Sequence, residues 1–148
     1  MVYDYLYTGR LAVFEGLVLT DLLQQIVHYL QADKAVEVVW LYGSQANGTA
    51  TKDSDYDLAV AFAAPFLKGM QQRLRPESLA AEITDAFGLE PEKVSILDIN
   101  IAPLPLAMSV VQKGKVILSK NTLREAKEEN RITSMWELDH EYHRRQFG

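Results

Sequence analysis

The sequence predicts an α/β domain of the α+β kind: a small mixed β-sheet flanked by helices, with a long C-terminal helix. Three observations predict it. Two apolar runs rich in β-branched and aromatic residues, 35–42 and 56–63, stand on either side of a short loop of small and polar residues and suit buried strands. Segments with apolar residues at helical spacing precede and follow them. From Asn121 to Arg145 the chain turns polar and charged, with Leu123, Ala126, Ile132, Met135, Trp136 and Tyr142 as an incomplete apolar stripe.

Taken in order, residues 1–17 carry Tyr3, Tyr5, Tyr7 and Phe14 without a clean period, and admit a helix, a docking arm or part of the core rim. Thr20 is a helix cap before Leu22, Leu23, Ile26, Val27 and Leu30, an amphipathic stripe that predicts a helix ending near Gln31. His28 in that helix has no partner at coordination spacing and defines no metal site. Val36, Val38, Val39 and Trp40 predict a buried strand that delivers Gly43-Ser44, with a short helix over 45–47. The strand from Tyr56 returns antiparallel and stops at Pro65. Residues 68–75 suit a loop or a first helical turn, and Pro76 with Glu77 opens a helix through Leu79, Ile83 and Phe87 that Gly88 closes. Residues 92–101 are apolar on both faces and predict a central, covered strand. Pro103-Leu104-Pro105 leads into a helix through Met108 and Val111 ended by Lys113-Gly114, and residues 115–118 form a short edge strand. The C-terminal helix, 121–145, covers its own sheet or meets a partner. His140 and His143 offer two ligands on one face, too few for a tetrahedral set.

Length and composition bound the function. A chain of 148 residues suits a single domain with a real core. With 15 Lys and Arg against 20 Asp and Glu, the net charge is −5, and no basic field for gripping nucleic acid is evident. There are no cysteines, hence no disulfide and no thiolate metal site, which suits a reducing compartment. No basic segment followed by a long apolar run marks a secretory signal, and the apolar stretches fall short of the ~20 residues of a membrane span. The expectation is a soluble, cytoplasmic protein.

The chemistry concentrates in 41–60. If Tyr56 starts a strand, Asp55 and Asp57 project from the same face. Two adjacent carboxylates repel each other and resist burial, so a positive group belongs between them. An oxygen-only pair best suits a hard cation such as Mg2+, which leaves its other positions to water and phosphate oxygens. Across the loop, Gly43 permits a sharp turn and a close approach to a ligand, while Ser44 offers a hydroxyl and a backbone N–H. Phosphate on one side and metal on the other describe a nucleoside triphosphate site. Gly48 is followed by Thr49 and Ala50 rather than Lys and Ser or Thr, which excludes a Walker A loop. An EF-hand beginning at Asp53 would have Leu58 where Gly is needed and Ala64 where Glu is needed. Asp98, inside an apolar run, is costly unless paired, hydrogen-bonded or near a metal; it either stands at the strand's exposed end and starts the turn toward Pro103, or serves the site.

Gly43-Ser44, ten residues, then Asp55-Tyr56-Asp57 resembles the signature of the DNA polymerase beta type nucleotidyltransferase superfamily. The flanking Leu-Tyr-Gly-Ser-x-Ala-x-Gly and Asp-Ser-Asp-x-Asp-Leu-x-Val resemble its minimal nucleotidyltransferase (MNT) branch. The resemblance implies a nucleotidyltransferase fold, with Asp55, Asp57 and a third carboxylate, here Asp98, as metal ligands. Asp98 would act at the acceptor hydroxyl as general base or as ligand of a second cation, and Gly43 and Ser44 would cradle the outer phosphates. Chains this small resemble antitoxins of HEPN/MNT toxin–antitoxin pairs, which implies Mg2+-dependent transfer of AMP from ATP to a tyrosine of the cognate HEPN ribonuclease toxin, with release of pyrophosphate. Alternatives are a small-molecule nucleotidyltransferase of the aminoglycoside type and an antitoxin that binds and occludes without catalysis. One departure stands out: Gln45 and Asn47 are neutral where this branch is often basic, so the triphosphate grip falls to backbone donors, the cation, or a residue such as Lys52 or Arg73.

Overall fold

The computed structural model describes residues 13–14, 17–18, 20–51, 53–63 and 69–147. Strands β1 (Val13–Phe14) and β2 (Leu17–Val18) pair antiparallel as a small hairpin. The rest of the expected N-terminal arm lies outside the described residues, as do Lys52 and 64–68. Then follow α1 (Asp21–Ala32), β3 (Val36–Tyr42), α2 (Ser44–Asn47), β4 (Tyr56–Phe62), α3 (Met70–Phe87), a 3-10 turn (Pro91–Lys93), β5 (Val94–Asp98), α4 (Leu104–Lys113), β6 (Lys115–Ser119) and α5 (Thr122–Phe147).

The main sheet has the order β5-β4-β3-β6. Strands β3 and β4 are antiparallel, as are β3 and β6, whereas β4 and β5 run parallel, so the sheet is mixed. The alternation of side chains sorts each strand onto two faces. Tyr56, Leu58, Val60 and Phe62 join Leu23, Ile26, Val27 and Leu30 of α1 and Leu79 and Ile83 of α3 in one core. Ala59 and Ala61, with Val38 and Trp40, meet Ala107, Met108 and Val110 of α4 and Ile132 of α5 in the other. Small alanines on the second face leave room for the fully buried Trp40 indole. A register shift between Val36 and Val38 puts Val36 and Val39 on the same face, against strict alternation.

Local caps behave as their chemistry requires. The Thr20 hydroxyl accepts from Leu23 N at 3.2 Å and bonds the Tyr56 hydroxyl at 2.8 Å, so the N-cap of α1 is tied to the first residue of β4. At the other end of α1 the Lys120 ammonium donates to the carbonyls of Leu30, Gln31 and Asp33 at 3.3, 3.1 and 2.6 Å.

Two expectations are corrected. Helix α3 begins at Met70, and Pro76 lies inside it instead of opening it; Gly69 makes the turn into the helix and Pro76 is buried. Strand β5 is an edge strand, with Ser95 exposed, because its apolar residues are covered by α3 on one face and its outer edge has no neighbour in the sheet. Strand β6 occupies the opposite edge, as its brevity suggests. Among the described residues no helix is long and apolar enough to cross a membrane.

Candidate functional site

The site is built where β3 ends and β4 begins. Antiparallel pairing sets Tyr42 opposite Asp57, so the residue after Tyr42 meets the carboxylate. Gly43 sits there at φ 72°, in the left-handed region, and a Cβ on it would lie 2.5 Å from Asp57 Oδ2. The carboxylate therefore occupies the space a side chain would fill. Gly43 also caps α2 through its carbonyl, which accepts from Ala46 N and Asn47 N at 3.1 and 3.2 Å. Ser44 is the first residue of that helix, and its carbonyl accepts from Thr49 N at 3.2 Å.

The loop back to β4 is fixed by Ser54. Its hydroxyl accepts from Thr51 N at 2.8 Å, and its carbonyl accepts from Lys93 Nζ at 2.7 Å and from Gln45 Nε2 at 3.4 Å. These contacts deliver Asp55 to the sheet edge immediately before β4. The Lys93 ammonium also stands 5.6 Å from the centroid of the Tyr56 ring. Gln45, neutral where a basic residue was the common alternative, thus helps hold the carboxylate loop.

The electrostatics follow from the placement. Burial, and then the neighbouring Asp55 charge, push the Asp57 carboxyl above its ordinary value. Burial and then the Asp57 charge likewise raise the Tyr42 hydroxyl. An exposed Asp55 beside a half-buried Asp57 is an all-oxygen donor set that fits a hard divalent cation.

Asp98 is not brought to this pair. Parallel pairing places Ser95 opposite Asp57 and Asp98 opposite Val60. Asp98 is thus three residues further along β5, about 10 Å at strand rise, and on the other face of the sheet. There it is buried, with Oδ1 accepting from Asn100 N at 2.9 Å and Oδ2 facing Arg75 Nη2 at 3.7 Å. Its carbonyl accepts from Ile101 N at 3.2 Å, so Asp98 ends the strand and starts the turn. One oxygen of this carboxylate is held by the turn and the other faces an arginine without a hydrogen bond, and the structure does not bring Asp98 beside Asp55 and Asp57 as expected of a metal ligand or catalytic base. No group of three His, Cys, Asp or Glu residues able to hold a metal occurs among the described residues.

The residue that the expectation missed is Ser95. It is exposed, shares a face with Asp57 and lines, with Asp55, Glu77, Thr84 and Glu92, a groove of about 700 Å3 between α3 and β5. Only the β4–β5 register identifies it, and no local sequence signal carries that register.

The comparisons agree with this architecture. Residues 24–123 match the family described as Polymerase beta, Nucleotidyltransferase. No curated protein matches the sequence. Among solved structures, a toxin–antitoxin with AMP-PNP is 23% identical with a TM-score of 0.62, covering 81% of this chain and 91% of that one. The toxin–antitoxin MntA-HepT is 21% identical with a TM-score of 0.58, covering 81% and 88%. A tri-AMPylated Shewanella oneidensis HEPN toxin in complex with MNT antitoxin gives 19% identity and a TM-score of 0.56 over 81% and 88%. These likenesses are of fold. Because the family match runs from α1 into the start of α5 and takes in the Gly43-Ser44 turn and the two carboxylates at the entry to β4, the chain belongs to the polymerase beta nucleotidyltransferase family.

Proposed function

We propose that this protein is the MNT antitoxin of a HEPN/MNT pair and transfers AMP from ATP to a tyrosine of its cognate HEPN ribonuclease toxin. The observation that carries the reading is the seat of Asp57: its carboxylate fills the space left by Gly43, beside Asp55, at the end of a Gly-Ser turn. Support for the partner comes from the fold neighbours, which are toxin–antitoxin structures, one with AMP-PNP and one with a tri-AMPylated HEPN toxin.

On this reading Asp55 and Asp57 hold Mg2+, and the Gly43 turn and Ser44 receive the outer phosphates. The bound cation supplies charge neutralisation for the triphosphate and the leaving pyrophosphate. The chain's own work is positioning: the Ser54 contacts hold Asp55 at the sheet edge, and the β3–β4 register holds Gly43 against Asp57. The tyrosine oxygen bonds to the α-phosphorus, the bond to the β-phosphate bridge breaks, and the phenolic proton leaves to solvent.

Mass spectrometry of the HEPN toxin encoded beside this gene, after incubation with this protein, ATP and Mg2+, tests the proposal. Mass gains in steps of one AMP, absent with Asp55→Ala, Asp57→Ala, are the expected outcome. One observation favours a second reading, an antitoxin that binds and occludes: β5 presents Ser95, not a carboxylate, beside Asp57. Tight complex formation without any mass gain, retained in the double variant, would establish that reading in place of the first.

A further inference from the structure

The strand pairing that separates Asp98 from the site also says what stands in its place. Ser95 is the register partner of Asp57, so the two lie on neighbouring strands about 5 Å apart at the backbone and project from the same face. Ser95 is exposed, and the groove it lines contains Asp55. No other residue of β5 meets these conditions: Val94 and Ile96 turn to the core under α3, and Leu97 packs against the core under α4.

We propose that Ser95 is the β5 residue of the nucleotide site, and that its neutral hydroxyl restricts the Asp55 and Asp57 pair to a single divalent cation. The inference rests on the nucleotidyl-transfer reading and deepens it. Two divalent cations held a few ångströms apart repel strongly, and sites that hold such a pair surround it with carboxylates and phosphate oxygens. Asp55 and Asp57 supply two negative charges, enough to offset one divalent cation. A second cation needs a further anionic oxygen from the protein, and β5 presents a hydroxyl that ionises too weakly to supply it. Glu77 and Glu92 line the same groove from α3 and from the 3-10 turn, and neither shares the strand register with Asp57.

The consequence is a residue-specific change in metal stoichiometry. Mn2+ binding to the full chain is measured by electron paramagnetic resonance and calorimetry with a non-hydrolysable ATP analogue, in the wild type, Ser95→Asp, Ser95→Glu and Asp98→Asn. The wild type is expected to take about one Mn2+ per nucleotide site, and Ser95→Asp about two, the second only with the analogue present. Ser95→Glu keeps the test decisive should the shorter side chain fall short of the cation. Asp98→Asn is expected to keep the wild-type count, since Asp98 faces Arg75 on the opposite side of the sheet. Two Mn2+ in the wild type, a single Mn2+ in both Ser95 variants, or loss of the ion in Asp98→Asn overturns the inference while leaving nucleotide binding by Asp55 and Asp57 intact. Absence of any bound Mn2+ and analogue in the wild type overturns the nucleotidyl-transfer reading itself, and this inference with it.

Discussion

At Gly43 two constraints coincide, a positive φ and a carboxylate 2.5 Å from where a Cβ would be. Gly43→Ala therefore pays about 1–2 kcal/mol for the left-handed backbone and also displaces Asp57. The expected outcome is a lower denaturation midpoint together with loss of ATP-dependent stabilisation. Asp57 behaves in the opposite way. Its carboxyl is raised by burial and by Asp55, so its ionised form costs native stability at neutral pH. Asp57→Asn is expected to raise the melting temperature of the metal-free protein modestly while abolishing the further rise with Mg2+ and ATP. Differential scanning calorimetry with and without ligand reads both effects, and a fall in the metal-free value would contradict the account of Asp57.

At the scale of elements, α5 is pinned by a buried ionic network that has no role in the proposed chemistry. Arg124 donates to Glu128 Oε1 and Glu37 Oε2 at 2.9 Å, to the Phe62 carbonyl at 2.9 Å and to Asn100 Oδ1 at 2.6 Å. Arg131 donates to Glu128 Oε2 at 3.0 Å and to the Ile99 carbonyl at 3.2 Å. One arginine thereby joins α5 to the start of β3, the end of β4 and the turn after β5. Removing it leaves Glu128 buried without one of its main partners, and Arg124→Ala is expected to cost about 3–5 kcal/mol in chemical denaturation. Burial alone would raise the Glu128 carboxyl, but hydrogen bonds from Arg131, Arg124 and Asn100, with the Arg131 charge, outweigh it and hold the carboxyl below its ordinary 4.5. A depressed carboxyl contributes stability above its unfolded value and loses it as pH falls through the folded one. Stability should therefore drop as pH falls below about 4.5, and Glu128→Gln should flatten that part of the profile in acid denaturation curves.

For the whole molecule, the sheet divides the labour. The face with α1 and α3 and the face with α4 and α5 hold separate cores, and the proposed site lies at the edge where β3 leaves and β4 enters. The first half of α5 covers the sheet through Ile132, whereas Met135, Leu138 and Tyr142 further along are exposed. Of the two expectations for this helix, covering its own sheet holds for the near half, and the far half is exposed. A ligand bound only by the native state stabilises the whole domain, by about 2.7 kcal/mol at a hundredfold excess over its Kd. Mg2+ with ATP should raise the unfolding midpoint accordingly, and neither component alone should do so fully. No shift at saturating concentrations of both would count against the nucleotide site.

The sequence by itself determined the strand pair, the helices apart from the start of α3, and the Gly43, Ser44, Asp55, Asp57 grouping, because each rests on local spacing: alternation, caps, and a turn that only a short loop can close. Asp98 shows where such spacing stops. Its cost in an apolar run was legible, but whether a metal, a turn or an arginine met that cost was decided by a parallel register between strands separated by a whole helix. The same register chose Ser95 as the neighbour of Asp57, and put β5 at the edge instead of the centre. No local spacing singles out Arg75 and Arg124, which α3 and α5 carry to buried carboxylates. Local chemistry is written along the chain within a few residues, whereas the pairing of distant strands is set by the joint burial of both faces of the sheet, which only the tertiary structure resolves.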